Sequence, residues 1–180
     1  MLNTITTDQG IIIIRQAVQE DAARLRELRI EALSDSPVAF TADPDAARAE
    51  PAELWAERLR GYEPENQGMI CVAEAGERLV GMCGFYRGNR PKTRHSGMIW
   101  GVFVSPDWRG LRIADHMIKK CLDWGQAHGV VAAKLGVNTS NIPAIRCYTR
   151  CGFSLYGIEP KAIYYDGVYY DELLMAVQTE

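Results

Sequence analysis

The stretch Val102-Phe103-Val104-Ser105-Pro106-Asp107-Trp108-Arg109-Gly110-Leu111-Arg112-Ile113-Ala114 decides how this chain is read. An apolar run over 97–104 stops at Ser105-Pro106, a turn containing Gly110 follows, and an amphipathic stretch opens at Ala114. In that stretch Ala114, Met117, Ile118, Cys121 and Leu122 share one face, Lys119, Lys120 and Asp123 point elsewhere, and Gly129 is placed to end it. A strand, a tight turn and a helix are therefore expected in succession. The first N–H groups of such a helix have no intrahelical partner, and with the helix dipole they make an anion site suited to phosphate or pyrophosphate. Arg109 and Arg112 add cationic donors. One glycine and two arginines in a turn also describe an ordinary exposed turn, so the junction alone does not choose between the two readings.

The flanks supply the context. On the N-terminal side, Ile11 to Ala17 predicts a strand too apolar for an edge, preceded by a polar tail over residues 1–10. Glu20 to Leu33 predicts a helix with Leu25, Leu28 and Ala32 on one face. Ser34 to Pro44 predicts a loop, and Pro51 opens a second helix that Gly61 stops. Met69 to Glu74 and Leu79 to Tyr86 flank Ala75-Gly76-Glu77-Arg78, a hairpin signal. On the C-terminal side, Val130 to Val137 predicts a strand, and Asn141 caps a helix that carries Pro143 in its first turn and ends at Gly152. Phe153 to Ile158 and Tyr169 to Val177 are the last strands, joined through the turn dipeptide Asp166-Gly167. The order β-α-α-β-β-β-α-β-α-β-β implies a mixed sheet in an α/β domain over residues 11–180.

Two of these segments together resemble the GNAT superfamily of N-acetyltransferases. The superfamily's acetyl-CoA signature runs Arg or Gln, two residues, Gly, one residue, then Gly or Ala. Here Arg109 and Ala114 match its ends, and Arg112 stands where Gly is usual. Asn138-Thr139-Ser140-Asn141-Ile142-Pro143-Ala144-Ile145-Arg146-Cys147-Tyr148-Thr149-Arg150-Cys151-Gly152-Phe153 is similar to the second family segment, with its Asn before a helix, a Tyr within it and Gly-Phe at its end. The resemblance extends over Ile11 to Gln178. It implies a central sheet of about seven strands, splayed in the middle and flanked by about four helices, a layered α/β arrangement. It also implies that acetyl-CoA enters the splay. Backbone groups of Val102, Phe103 and Val104 would pair with the pantetheine arm. The turn from Arg109 through Gly110, Leu111, Arg112 and Ile113 to Ala114 would hold the pyrophosphate. Asn141 would bond the pantetheine side, and Tyr148 would protonate the departing thiolate. Spacing agrees with the last pair: seven residues return a helix to nearly the same face, so if Asn141 faces the cofactor, as the resemblance implies, Tyr148 does too.

The implied activity is transfer of an acetyl group from acetyl-CoA to a primary amine of a small molecule or protein by direct attack. The alternative is a catalytically silent acyl-CoA-binding sensor or regulatory module. Met98 to Val104 holds no carboxylate to serve as general base; Glu31, Glu74, Asp171, Glu172 and His95 are the candidates elsewhere. The resemblance implies an acceptor pocket built from Ser34 to Phe40 and Ile158 to Tyr169, and Tyr156, Tyr164, Tyr165, Tyr169 and Tyr170 either line it or cover the sheet.

Composition fits this picture. The chain has 180 residues, 47% of them hydrophobic and 24% charged, with a net charge of −3, which gives no reason to expect nucleic acid or an anionic membrane as partner. No apolar run approaches the ~20 residues of a membrane span. The polar start lacks the basic residues of a secretory signal, and five cysteines make an odd number, so free thiols in a reducing, cytoplasmic setting are expected. Cys147 and Cys151, four apart with no nearby His, are read as packed thiols and no metal is expected. A homodimer is a further expectation.

Overall fold

The computed structural model describes residues 3–62 and 67–179. Residues 1 and 2 of the expected tail, and residue 180, lie outside the described residues. The strands are β1 (Asn3–Thr7), β2 (Gly10–Gln16), β3 (Gly68–Ala75), β4 (Arg78–Arg87), β5 (Ser96–Val104), β6 (Ala132–Asn138), β7 (Ser154–Tyr165) and β8 (Val168–Gln178). The α-helices are α1 (Ala22–Asp35), α2 (Pro44–Ala49), α3 (Ala52–Tyr62), α4 (Ile113–Ala127) and α5 (Ile142–Arg150). The described residues form one eight-stranded sheet in the order β1-β2-β3-β4-β5-β6-β8-β7. All neighbours are antiparallel except β5 and β6.

The sheet has one strand more than expected because the polar tail is not a tail. Residues 3–7 form β1, an edge strand paired with β2 from Asn3↔Ile14 to Thr7↔Gly10. Its Thr and Ile residues suit a strand, but a single apolar side chain, Ile5, gave no alternation to read. With β1 outside it, β2 becomes an interior strand, which explains its apolar run: Ile12 and Ile14 are fully buried. The loop expected over Ser34 to Pro44 holds the end of α1 and a 3-10 turn over Pro37–Ala39, and its last residue, Pro44, begins α2. The Asp43 carboxylate caps that helix by accepting the N–H groups of Asp45 and Ala46, with Pro44 in the first turn.

Two apolar layers sandwich the sheet. On one face α4 and α5 bring Met117, Ile118, Cys121 and Tyr148 against Phe85, Ile99, Leu135 and Val137. On the other, α1 and α3 bring Leu25, Leu28, Trp55 and Leu59 against Ile70, Met82 and Phe103. The core thiols pack as small apolar groups; Cys83 and Cys121 approach to 3.6 Å, and Cys71, Cys83 and Cys121 are buried and free.

The parallel pair decides the function of the fold. β5 and β6 pair over three positions only, Ser96↔Ala132, Gly97↔Ala133 and Met98↔Lys134. Beyond these the strands separate, each still held by its outer neighbour: β5 by β4, and β6 by β8 over seven positions. The C-terminal ends of two central strands therefore present unpaired edges to each other inside the sheet.

Candidate active site

The separation opens a cleft of about 560 Å³. Val102, Phe103 and Val104 form one wall, and Leu135, Gly136, Val137 and Asn138 the other. A bulge shapes the first wall. Met82 pairs with Phe103 but Gly84 pairs with Trp100, so Gly101 and Val102 together oppose Cys83. Gly101 sits at φ 63°, a left-handed conformation that glycine adopts without a Cβ penalty. A bulge of this kind bends the strand and re-aims its backbone groups. The unpaired edge of β5 can accept an extended ligand as a sheet accepts an added strand.

At the end of this edge comes the turn. Ser105 is buried and bonds its N–H to the Val80 carbonyl, a 3-10 turn spans Pro106–Trp108, and α4 starts at Ile113 without a side-chain cap. Among the described residues no protein acceptor meets the N–H groups of Gly110, Leu111, Arg112, Ile113 or Ala114. Gly110 at φ 84° and Arg112 at φ 57° turn this run into a concave cradle of N–H groups at a helix N-terminus, the arrangement that binds phosphates. The N–H groups on which the sequence reading places an anion site are thus without a protein partner among the described residues.

The two arginines behave differently from expectation. Arg109 does not present a free cation: its Nε donates to the Val104 carbonyl, its Nη2 bonds the Asp35 carboxylate, and its guanidinium lies 5.7 Å from the centre of the Phe103 ring. It ties the turn to the end of α1, and it helps the Ser36 hydroxyl hold the Asp35 carboxyl below its usual range against the opposing effect of burial. Arg112 is exposed and left-handed, so its backbone takes up the conformation that a glycine in this position adopts freely.

Helix α5 delivers the other pair. The Asn141 side chain accepts the Ala144 N–H at 3.2 Å, the cap expected, and both Asn141 and Tyr148 line the cleft as their spacing implied. Tyr148 is buried and meets Phe153 edge to face at 6.2 Å between ring centres. Burial first, then the nearby thiols and Glu172, push the phenol well above its ordinary pKa. The phenol therefore stays protonated at neutral pH.

The candidate bases differ in their surroundings. Glu74 is locked between Arg15 and Arg24, Glu31 pairs with Arg78, and the Asp171 carboxylate accepts the Lys161 N–H. His95 is exposed, one residue before the N-terminal end of β5, away from the open end. Glu172 is half-buried, and its carboxylate lies 2.5 Å from where a Cβ on Gly136 would stand, which is why a glycine occupies that place in the cleft wall. Burial, then the neighbouring Glu159, raise its pKa above the usual glutamate value. Of the tyrosines of the last hairpin, Tyr156, Tyr164, Tyr165 and Tyr169 are exposed and Tyr170 is partly buried, and none of the five lines the cleft. Asp115, Cys147 and Cys151 bring three ligand-type atoms within 4.8 Å of one another, but Arg150 bonds both oxygens of Asp115 and the Cys147 thiol donates to one of them.

Phe40, the last residue of the Ser34 to Phe40 segment that the family resemblance assigns to the acceptor pocket, lines the cleft, whereas the sequence reading missed Trp100 and Gly136, which also line it, and Arg29, which stands behind Phe40. Gly136 lies inside a segment read only as a strand, and no motif marks the other two.

Comparison with known families matches residues 24–153, well over half of the chain, to the acetyltransferase (GNAT) family. A mycothiol acetyltransferase of Brachybacterium faecium is 32% identical over 88 residues, 49% of this chain but only 27% of that protein. The L-amino acid N-acetyltransferase AaaT of Escherichia coli is 28% identical over 127 residues, 68% of this chain and 74% of that protein. Among solved structures, an acetyltransferase of the GNAT family from Streptococcus pneumoniae superposes with a TM-score of 0.83 at 21% identity, covering 93% of this chain and 98% of the other. The acetyltransferase yncA of Salmonella typhimurium, solved with its cofactor acetyl-CoA, gives 0.83 at 19% identity and covers 94% of both chains.

Proposed function

The chain belongs to the GNAT acetyltransferase family, and on that premise we propose that it moves an acetyl group from acetyl-CoA to a primary amine of a small molecule or a protein. The observation that carries this reading is the unpaired β5 edge running into a cradle of free N–H groups, with a buried tyrosine in the same cleft. In this reading the backbone of Val102, Phe103 and Val104 pairs with the pantetheine arm. The N–H groups from Gly110 to Ala114 hold the pyrophosphate, with Arg109 fixing the turn and Arg112 at its rim. Asn141 bonds the pantetheine amide. The cradle fits the group because its donors have no other partner and it opens onto the helix N-terminus.

The amine must lose a proton to attack the thioester carbonyl, and the thiolate must leave. The new N–C bond forms as the C–S bond breaks. Glu172, with its raised pKa, takes the amine proton directly or through water, and the Tyr148 phenol gives its proton to the thiolate and recovers one from solvent. Glu172 supplies from β8 the carboxylate that β5 lacks, so the enzyme is favoured over a silent acyl-CoA-binding module. A homodimer and a cytoplasmic setting complete the proposal. Among the described residues no helix is long and apolar enough to cross a membrane.

The test is steady-state release of CoA with a panel of amines. Tyr148→Phe should lower kcat and kcat/KM together by roughly 10–10³-fold with KM for acetyl-CoA nearly constant. Glu172→Gln should lower kcat and remove the acidic limb of the pH profile. An unchanged kcat in Tyr148→Phe would make the tyrosine a wall of the cleft and nothing more.

A further inference from the structure

The proposed reaction leaves one charged group unused. Arg29, on α1, sits with its guanidinium carbon 4.7 Å from the centre of the Phe40 ring. Its Nη1 reaches 3.7 Å from where a Cβ on Gly101 would stand, so it lies between the Phe40 wall of the cleft and the β5 bulge. That nitrogen is buried and has no hydrogen-bond partner among the described residues. The charges around it make the isolation worse. Among the described residues Arg58 repels it, and Glu50, the carboxylate that favours it, is bonded to Arg58 at 3.1 Å. Burial first, then Arg58, pushes the Arg29 pKa down to about 10, which still leaves it cationic at neutral pH. On the same side of the sheet the indole Nε1 of Trp100, the residue before Gly101, is also buried and unpartnered, but its ring is lodged over Gly84 on β4.

A buried cation without an anion costs free energy, and the cost is recovered when a ligand supplies acceptors to it. The ligand that suits a guanidinium is a carboxylate. The location fixes what carries it. Trp100, Gly101 and Phe40 line the cleft on the α1 side of the sheet, the side to which Asn138 turns to bond the Val38 carbonyl and on which the Glu172 carboxylate covers Gly136. A ligand there lies across the splay from α4 and α5, within the same cleft as the acetyl group.

We propose that Arg29 forms a carboxylate pocket for the acceptor, so that the amine acetylated by this protein belongs to an amino acid or a compound bearing the same amine and carboxylate. The proposal rests on the acetyltransferase reading above. Phe40 covers the guanidinium, and rotation of its ring admits the carboxylate. The α1 helix thus contributes specificity rather than chemistry.

The experiment measures CoA release with a set of α-amino acids, each beside its carboxamide and its decarboxylated amine, and in parallel the thermal shift of the CoA-bound protein by the corresponding N-acetyl acids and N-acetyl amides. The wild type should turn over at least one acid 100-fold or more better than its amide and amine. Arg29→Met keeps the apolar stem and removes the charge; it should lose that preference while CoA still raises its melting temperature as in the wild type. Arg29→Lys should keep part of the preference, and because the charge removed is unpaired, Arg29→Met should melt no lower than the wild type. Equal turnover of acids and amides, a preference that survives Arg29→Met, or a CoA-binding protein that neither turns over nor binds any carboxylate overturns the pocket alone. A protein that CoA does not stabilise overturns the acetyltransferase reading beneath it.

Discussion

Replacing Arg112 by glycine separates what the turn does with its backbone from what it does with its side chain. Arg112 sits at φ 57° and ψ 23°, where an L-residue with a Cβ carries a cost of roughly 1–2 kcal/mol. Glycine removes that cost but adds roughly 0.5–1 kcal/mol of backbone entropy lost on folding. The net expectation is a gain of about 0.5–1 kcal/mol, a rise of roughly 1–4 °C in Tm for a chain of this size. The side chain itself is exposed, so its loss should subtract little from stability. For acetyl-CoA, glycine keeps all the N–H groups of the cradle and removes one flexible cation at its rim. Affinity should change by less than about tenfold, or ~1.4 kcal/mol. Arg112→Ala is the control, since it removes the charge and keeps the Cβ in the left-handed conformation. Differential scanning calorimetry and titration calorimetry with acetyl-CoA on all three proteins give the answer. Glycine should melt above alanine, and both should bind acetyl-CoA alike. If glycine melts no higher than alanine, the left-handed backbone is not a source of strain. A loss of a hundredfold or more in both variants would make the Arg112 side chain a principal phosphate ligand and the backbone cradle secondary.

Two further outcomes follow from the same structure. CoA and acetyl-CoA should raise Tm by mass action, and ATP or NAD at equal concentration should do so less; equal shifts would assign the cradle to nucleotides in general. Asp21, fully buried and bonded to Arg15, to Arg24 and to the Val18 N–H, has its pKa lowered from 3.8 to about 2 despite burial, so its stabilisation of about 2 kcal/mol is complete above pH 4 and is lost as pH falls through 2. Asp21→Asn should flatten that part of an acid-unfolding curve, and a curve unchanged from the wild type would show the network to be dispensable.

What the sequence made legible was local. The junction over 102–114, the hairpin over 75–78 and the Asn141–Tyr148 spacing each rest on residues whose conformational preferences act within one or two turns of chain, and the structure places all three as read. The misses have physical reasons. β1 carries a single apolar side chain and becomes a strand because β2 offers it an edge. In α2 the cap at Asp43 and the proline after it were present, but six residues of helix leave too short a pattern to outweigh a loop. The left-handed backbone of Arg112 is forced by the turn from strand to helix, which no side chain announces. Glu172 is one of several candidate bases in the sequence, and only the fold shows it lying over Gly136; Arg29 is an ordinary charge in the sequence and becomes a candidate anchor because Glu50, the carboxylate that favours it among the described residues, is bonded to Arg58.

The cleft also has to be kept open without a ligand, and the structure shows how. Unpaired strand edges tend to close on one another, since each missing ladder bond leaves a donor and an acceptor to be satisfied. β6 cannot shift toward β5 without giving up seven paired positions with β8, and Asn138 at its end is bonded across to the Val38 carbonyl. β5 is held on its far side by β4, with the bulge at Gly101–Val102 breaking the register that closure would need, and the end of its edge is fixed by Arg109, which joins the Val104 carbonyl to Asp35 on α1. The α1 side of the sheet therefore acts as a strut for both walls. In consequence the side chains that hold the cleft open and the side chains proposed to choose the acceptor belong to the same segment, from Arg29 to Phe40. A change that loosens this segment, such as Asp35→Asn, should weaken discrimination among acceptors and the binding of acetyl-CoA together, whereas Arg29→Met should affect discrimination alone.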